Sequence, residues 1–140
     1  MLFRSYPFED VAAAIEREQL GDRIRWHRYA SEAALADFYG RAAGFAFLSE
    51  YEGLGMTPLE ALAYGVPPVL LDTPVARESC RDAALYVAPG DDAALCRAIE
   101  SVLFDGATRQ RLLASSAEAL SAFSWPRAAQ ATLTVLEQCR

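Results

Sequence analysis

Phe45-Ala46-Phe47-Leu48-Ser49-Glu50-Tyr51-Glu52-Gly53-Leu54-Gly55-Met56-Thr57-Pro58-Leu59-Glu60 is the stretch on which the reading of the fold turns, together with Val66-Pro67-Pro68-Val69-Leu70-Leu71 that follows it. Phe45 to Leu48 is a continuous apolar run, as a strand covered on both faces requires. It leads into a glycine-rich loop at Glu52-Gly53-Leu54-Gly55, and a helix opens directly afterwards. Val66 to Leu71 is a second buried strand, with Pro67-Pro68 restricting its start rather than its middle, where proline would remove ladder hydrogen bonds. Strand, loop, helix and parallel strand make one βαβ unit.

The same alternation extends outward. From Phe8 to about Leu20, apolar residues Phe8, Val11, Ala12, Ile15 and Leu20 recur at helical spacing, with Pro7 suited to the first turn and Gly21 to the stop. Ile24 to Trp26 reads as a short strand. Ser31 then caps a helix whose stripe is Ala34, Leu35, Phe38, Tyr39 and Ala42. Beyond Leu71, Leu85-Tyr86-Val87 supplies another strand. Asp91 caps a helix to about Phe104, a further helix covers roughly 108–123, and Ser124-Trp125-Pro126 starts the last, with Trp125 as an anchor packing on the domain. The pattern predicts an α/β layered domain with a parallel sheet. Leu95, Ile99, Val102 and Leu103, and later Leu112, Leu113, Leu120 and Phe123, are core stripes.

Composition narrows the function classes. The 140 residues are 53% hydrophobic and carry a net charge of −6; all 13 basic residues are arginine. There is no broad basic face for a nucleic acid backbone. A chain of this size buries about 68–70% of its unfolded surface, so a core forms without disulfides or metals. Cys80, Cys96 and Cys139 show neither paired nor zinc-ligand spacing, which fits a reducing, cytoplasmic setting. No apolar run approaches the ~18–20 residues of a membrane span.

In open α/β sheets, ligands bind outside the carboxyl ends of the strands. Glu52 to Glu60 occupies such a place. Gly53 and Gly55 permit positive φ and close approach to a ligand, and the helix opened by Thr57-Pro58-Leu59-Glu60 offers free N–H groups and a dipole to an anion. Glu52 and Glu60 flank that anion site, where each can accept hydrogen bonds from hydroxyls. A sugar, a pyrophosphate and a ribose satisfy this arrangement together. Thr57-x-x-Glu60 also matches a capping box, in which Glu60 bonds back to the Thr57 N–H, and the residues alone leave both readings open.

The run from Ser49 to Pro67 closely resembles the E-x7-E signature of the group 1 (family 4) glycosyltransferases. The resemblance continues through Leu20-Gly21-Asp22-Arg23-Ile24, Leu35-x-x-Phe38-Tyr39, Arg77-Glu78, Asp82-Ala83-Ala84-Leu85-Tyr86-Val87-x-Pro89 and Phe123-Ser124-Trp125. It implies a Rossmann-like parallel sheet flanked by helices, the C-terminal, donor-binding half of a GT-B fold. By that resemblance Glu52 faces the donor sugar as the catalytic-site carboxylate, in an electrostatic and positioning role. The backbone of Gly53, Leu54 and Gly55 touches sugar hydroxyls, the amides of Met56, Thr57, Pro58 and Leu59 meet the pyrophosphate, and Glu60 binds the ribose. Arg77 and Glu78, expected in the next strand-to-helix loop, reach the diphosphate and the donor, with an exposed ion pair as the default alternative. The implied chemistry is retaining transfer from a UDP- or GDP-linked sugar without an essential metal or other cofactor; no D-x-D signature is present.

A full member of that family has an acceptor-binding domain and two further strands ahead of this region, together with an Arg and Lys pair for the diphosphate. Residues 6–140 are therefore expected to be a partial donor domain, inactive unaided, whose open sheet edges favour self-association. The missing domain leaves membrane association open. Residues 1–5 are expected to be an artificial leader, since Leu2-Phe3-Arg4-Ser5 is what a common sequencing adapter encodes. His27-Arg28 stands where the family pattern has an apolar residue and glycine, which places Arg28 near the base pocket or a phosphate. The alternative in another class is a non-catalytic sugar-nucleotide-binding or scaffolding subunit that pairs with a separate acceptor-domain chain.

Overall fold

The computed structural model describes residues 8–27 and 29–139. The leader at residues 1–5, Pro7 and Arg28 lie outside the described residues. The chain divides into two compact units, residues 1–35 and 36–140.

In the first unit, α1 spans Phe8–Arg17. It stops short of the expected Leu20 because Gln19, not Gly21, takes the left-handed turn, with φ 54. The N–H groups of Arg23 and Ile24 both bond to the Leu20 carbonyl at 2.9 Å. That turn uses the Ile24 donor a strand would need, and residues 24–26 form no strand. A parallel strand has no stability without a neighbour to complete its ladder. Ser31 caps α2 (Glu32–Arg41) as expected, its hydroxyl accepting from the Ala34 N–H at 3.3 Å.

The second unit is built on a three-stranded parallel sheet of β1 (Phe45–Phe47), β2 (Pro68–Leu71) and β3 (Leu85–Val87), in the order β1-β2-β3. Registers pair Phe45 with Pro68 and Val69 with Leu85. Between and beyond the strands come α3 (Met56–Ala63), α4 (Pro74–Cys80), a 3-10 turn at Arg81–Ala83, then α5 (Asp92–Phe104), α6 (Gly106–Ala114), α7 (Ser116–Ser121) and α8 (Trp125–Gln138).

All four β2 residues are buried, and their alternation sorts the core into two layers. Leu70 packs with Leu59 and Leu62 of α3, Cys80 of α4 and Ala119 of α7. Val69 and Leu71 face the other way, onto Val87, Val102 of α5 and Leu112 of α6. Each such fully buried Val or Leu contributes about 1.5–3 kcal/mol. The expected α/β layering is thus observed, with helices on both sides of a parallel sheet.

Four expectations change. β1 is less covered than expected: Ala46, in register with Val69, is exposed, and α5 packs chiefly over β2 and β3. The helix expected over 108–123 is two helices, broken where Ser116 Oγ bonds back to the Leu113 carbonyl at 2.6 Å and Ser115 Oγ to the Arg111 carbonyl at 3.4 Å. Leu103 is 43% exposed, at the rim of the α5 stripe that Val102 completes. Trp125 is 89% exposed and α8 buries none of its residues, so the indole is not the packing anchor expected. No helix among the described residues is long and apolar enough to cross a membrane.

Candidate functional site

The loop from Leu48 to Gly55 leaves β1 at its carboxyl end and turns into α3 at Gly55. Gly55 is buried in the left-handed region, at φ 70 and ψ 48, and is the N-cap of α3; no side chain caps the helix there. A Cβ at this position would lie 3.3 Å from Ser79 Oγ and 3.8 Å from Val75 Cγ1 of α4. Glycine is therefore required twice over, by φ and by close approach. Gly53 has neither constraint, since its φ is not left-handed and its missing Cβ faces open space.

With Gly55 at the cap, Thr57 sits inside the helix, and the capping-box reading falls. The N–H groups of Met56 and Thr57 belong to the first turn, where no helical acceptor exists. Pro58 carries no N–H and is buried, so it holds the backbone rather than donating to a ligand. Leu59 is buried as well, and its side chain belongs to the core.

Around this helix start runs a narrow cleft at the carboxyl ends of β1 and β2, lined by Phe47, Ser49, Glu52, Gly55, Thr73 and Ser79, among others. Glu52 is half-buried there. Thr73 caps α4, its hydroxyl accepting from the Ala76 N–H at 3.2 Å. Ser79, 2% exposed, donates to the Val75 carbonyl at 2.7 Å.

Glu60 emerges one turn along α3, on its other flank. Its carboxylate Oε2 accepts from the Tyr39 hydroxyl at 3.4 Å, and the Thr57 carbonyl lies at the same distance from that hydroxyl. Tyr39 is 5% exposed, stacked on Tyr64 at 5.4 Å and edge-on to Phe45 at 5.8 Å. Burial, then the adjacent Glu60 charge and its hydrogen bond, push the phenol up to about 12.

Arg77 and Glu78 lie within α4 rather than in the loop before it. The Arg77 guanidinium holds Asp72 with two hydrogen bonds, at 2.6 and 2.8 Å, and sits 4.4 Å above the Tyr86 ring. That arginine keeps the Asp72 carboxyl below its ordinary range. The ion-pair alternative is the arrangement seen. Glu78 is exposed and does not line the cleft.

The structure thus brings Glu52, Gly55 and the α3 start into one cleft and sets Glu60 beside them against Tyr39. Sequence reading had assigned Tyr39 to an apolar stripe and passed over Thr73 and Ser79. One signal was available for Tyr39: a tyrosine in a core stripe needs an acceptor for its hydroxyl, which phenylalanine would not.

The chain is similar to known proteins over most of its length. It is 29% identical over 131 residues to O-antigen chain mannosyltransferase B of Escherichia coli, covering 94% of this chain and 34% of that protein. It is 30% identical over 130 residues to the phosphatidyl-myo-inositol mannosyltransferase of Mycobacterium leprae (strain TN), covering 86% of this chain and 34% of that one. Among solved structures, sucrose-phosphate synthase from Thermosynechococcus elongatus superposes with a TM-score of 0.78 at 26% identity, over 94% of this chain and 34% of that one. The chain spans about a third of the length of these relatives. The family model described as glycosyl transferases group 1 matches residues 8–118, and the chain belongs to that family.

Proposed function

We propose that residues 36–140 carry the donor site of a retaining glycosyltransferase that takes its sugar from a UDP- or GDP-linked nucleotide without an essential metal. The observation that carries this reading is the left-handed Gly55, which opens α3 at the carboxyl ends of β1 and β2 with Glu52 in the same cleft. A diphosphate seated at the α3 start accepts from the Met56 and Thr57 N–H groups and gains from the helix dipole. As the glycosidic bond breaks, negative charge grows on the departing diphosphate. Donors already in place stabilise that charge without reorganising. Glu52 receives sugar hydroxyls and favours the electron-poor anomeric centre, and the open space at Gly53 and Leu54 leaves room for the sugar. Glu60 takes the ribose. Arg77 reaches the diphosphate only by releasing Asp72. The two bacterial relatives are named mannosyltransferases, which makes a mannosyl donor the first to test. Acceptor contacts come from a segment or chain beyond these residues, so the chain alone binds donor without turnover.

Saturation-transfer NMR of the chain with UDP, GDP, UDP-glucose and GDP-mannose tests this. Transfer to one nucleotide's ribose that is lost in Glu60→Ala, with loss of the sugar signal in Glu52→Ala, supports the site. Silence from all four on a folded chain overturns it.

A further inference from the structure

Tyr39 carries one hydroxyl proton and faces two acceptors, the Thr57 carbonyl and Glu60 Oε2, each at 3.4 Å. A buried phenol needs a single acceptor, and the Thr57 carbonyl alone meets that need. The contact with Glu60 is therefore surplus to the burial of Tyr39. For Glu60 the contact weighs more. Its side chain is exposed, no ion pair among the described residues of the second unit includes it, and three rotatable bonds leave it free to sample many positions. Tyr39, by contrast, is well anchored: its ring packs against both Tyr64 and Phe45 and it is 5% exposed.

We infer that Tyr39 is a positioning residue, whose buried hydroxyl holds the Glu60 carboxylate in place to accept from the vicinal hydroxyls of a ribose. This rests on the donor-site reading above. At 3.4 Å the bond is long but within hydrogen-bonding reach, so a small rotation of the Glu60 side chain shortens it. A carboxylate has room for both partners: one oxygen accepts from the phenol while the remaining lone pairs face the diol. Tyr39 acts only through Glu60 and touches no ligand itself.

The test uses the full chain and its Tyr39→Phe, Glu60→Ala and double variants, titrated with GDP and UDP and with the 2′,3′-dideoxy forms of both. Tyr39→Phe keeps the ring and its stacking. It is expected to weaken binding of the preferred ribonucleotide by about five- to tenfold, in the range for one ordinary hydrogen bond, as suits a contact at 3.4 Å, and to leave the dideoxy form unchanged. In the double variant the loss should not exceed that of Glu60→Ala alone, which removes the acceptor outright. Equal losses for ribo and dideoxy forms, full additivity with Glu60→Ala, or no change in Tyr39→Phe each overturn the inference and leave the donor reading standing. If the unaltered chain binds neither nucleotide, the donor reading fails and takes this inference with it.

Discussion

Replacing Gly55 by alanine separates two costs that the structure keeps in one residue. The first is backbone: φ 70 is a conformation that costs a residue with a Cβ about 1–2 kcal/mol. Gly65→Ala isolates this part, since Gly65 has φ 74 and nothing within 4 Å of its missing Cβ. The second cost is steric. At Gly55 the new methyl meets Ser79 Oγ at 3.3 Å, and Ser79 is buried with its hydroxyl tied to the Val75 carbonyl at 2.7 Å, so it cannot simply swing away. Overpacking of this kind adds about 1 kcal/mol or somewhat more. Gly55→Ala should therefore destabilise by about 2–3 kcal/mol and Gly65→Ala by about 1–2 kcal/mol. Urea unfolding reads the difference as a lower midpoint at unchanged slope. Adding Ser79→Ala to Gly55→Ala should recover about 1 kcal/mol, a coupling expected of residues in contact. If Gly55→Ala costs no more than Gly65→Ala, or if Ser79→Ala recovers nothing, the close approach of α3 to α4 does not constrain this position.

Two further outcomes can be checked on the same protein. Burial pushes the Cys80 thiol from 9.0 up to about 11, and burial with the Glu60 charge pushes Tyr39 from 10.0 up to about 12. Both neutral forms are favoured by folding, so the unfolded chain releases these protons first; stability is full below about pH 9 and falls between about pH 9 and 12. Cys80→Ala should flatten the lower part of that decline in unfolding curves taken at stepped pH, and an unchanged slope would contradict it. Trp125→Ala should shift the unfolding free energy of this chain by less than about 0.5 kcal/mol, because an indole 89% exposed has little burial to lose. A loss near the ~3–5 kcal/mol of a core aromatic would place Trp125 back on the domain.

Much of this protein was legible in its residues. The run at Pro68 to Leu71 announces a buried parallel strand because a strand covered by helices has no polar face to alternate, and the shorter apolar runs at Phe45 to Phe47 and Leu85 to Val87 announce its two neighbours. Asp91 and Ser31 announce helix starts because a side-chain oxygen two or three residues ahead of a free N–H is a local matter. Gly55 marks the loop-to-helix turn between Glu52 and Glu60 for the same reason: the whole stretch lies within one loop and one helical turn.

What the sequence left open depended on partners distant along the chain. Ile24 to Trp26 has strand composition, but a strand exists only by pairing, and the turn at Leu20 takes the donor instead. The sequence leaves the partner of Arg77 open, and the fold hands its guanidinium to Asp72, five residues back. Thr57 and Glu60 fit a capping box by spacing; the tertiary structure starts the helix one turn ahead of Glu60 and offers its carboxylate a phenol from 21 residues away. Caps, turns and apolar periods are short-range and survive in a string of letters. Pairing, cover and the choice among competing hydrogen-bond partners are long-range, and they were decided only when the layers closed.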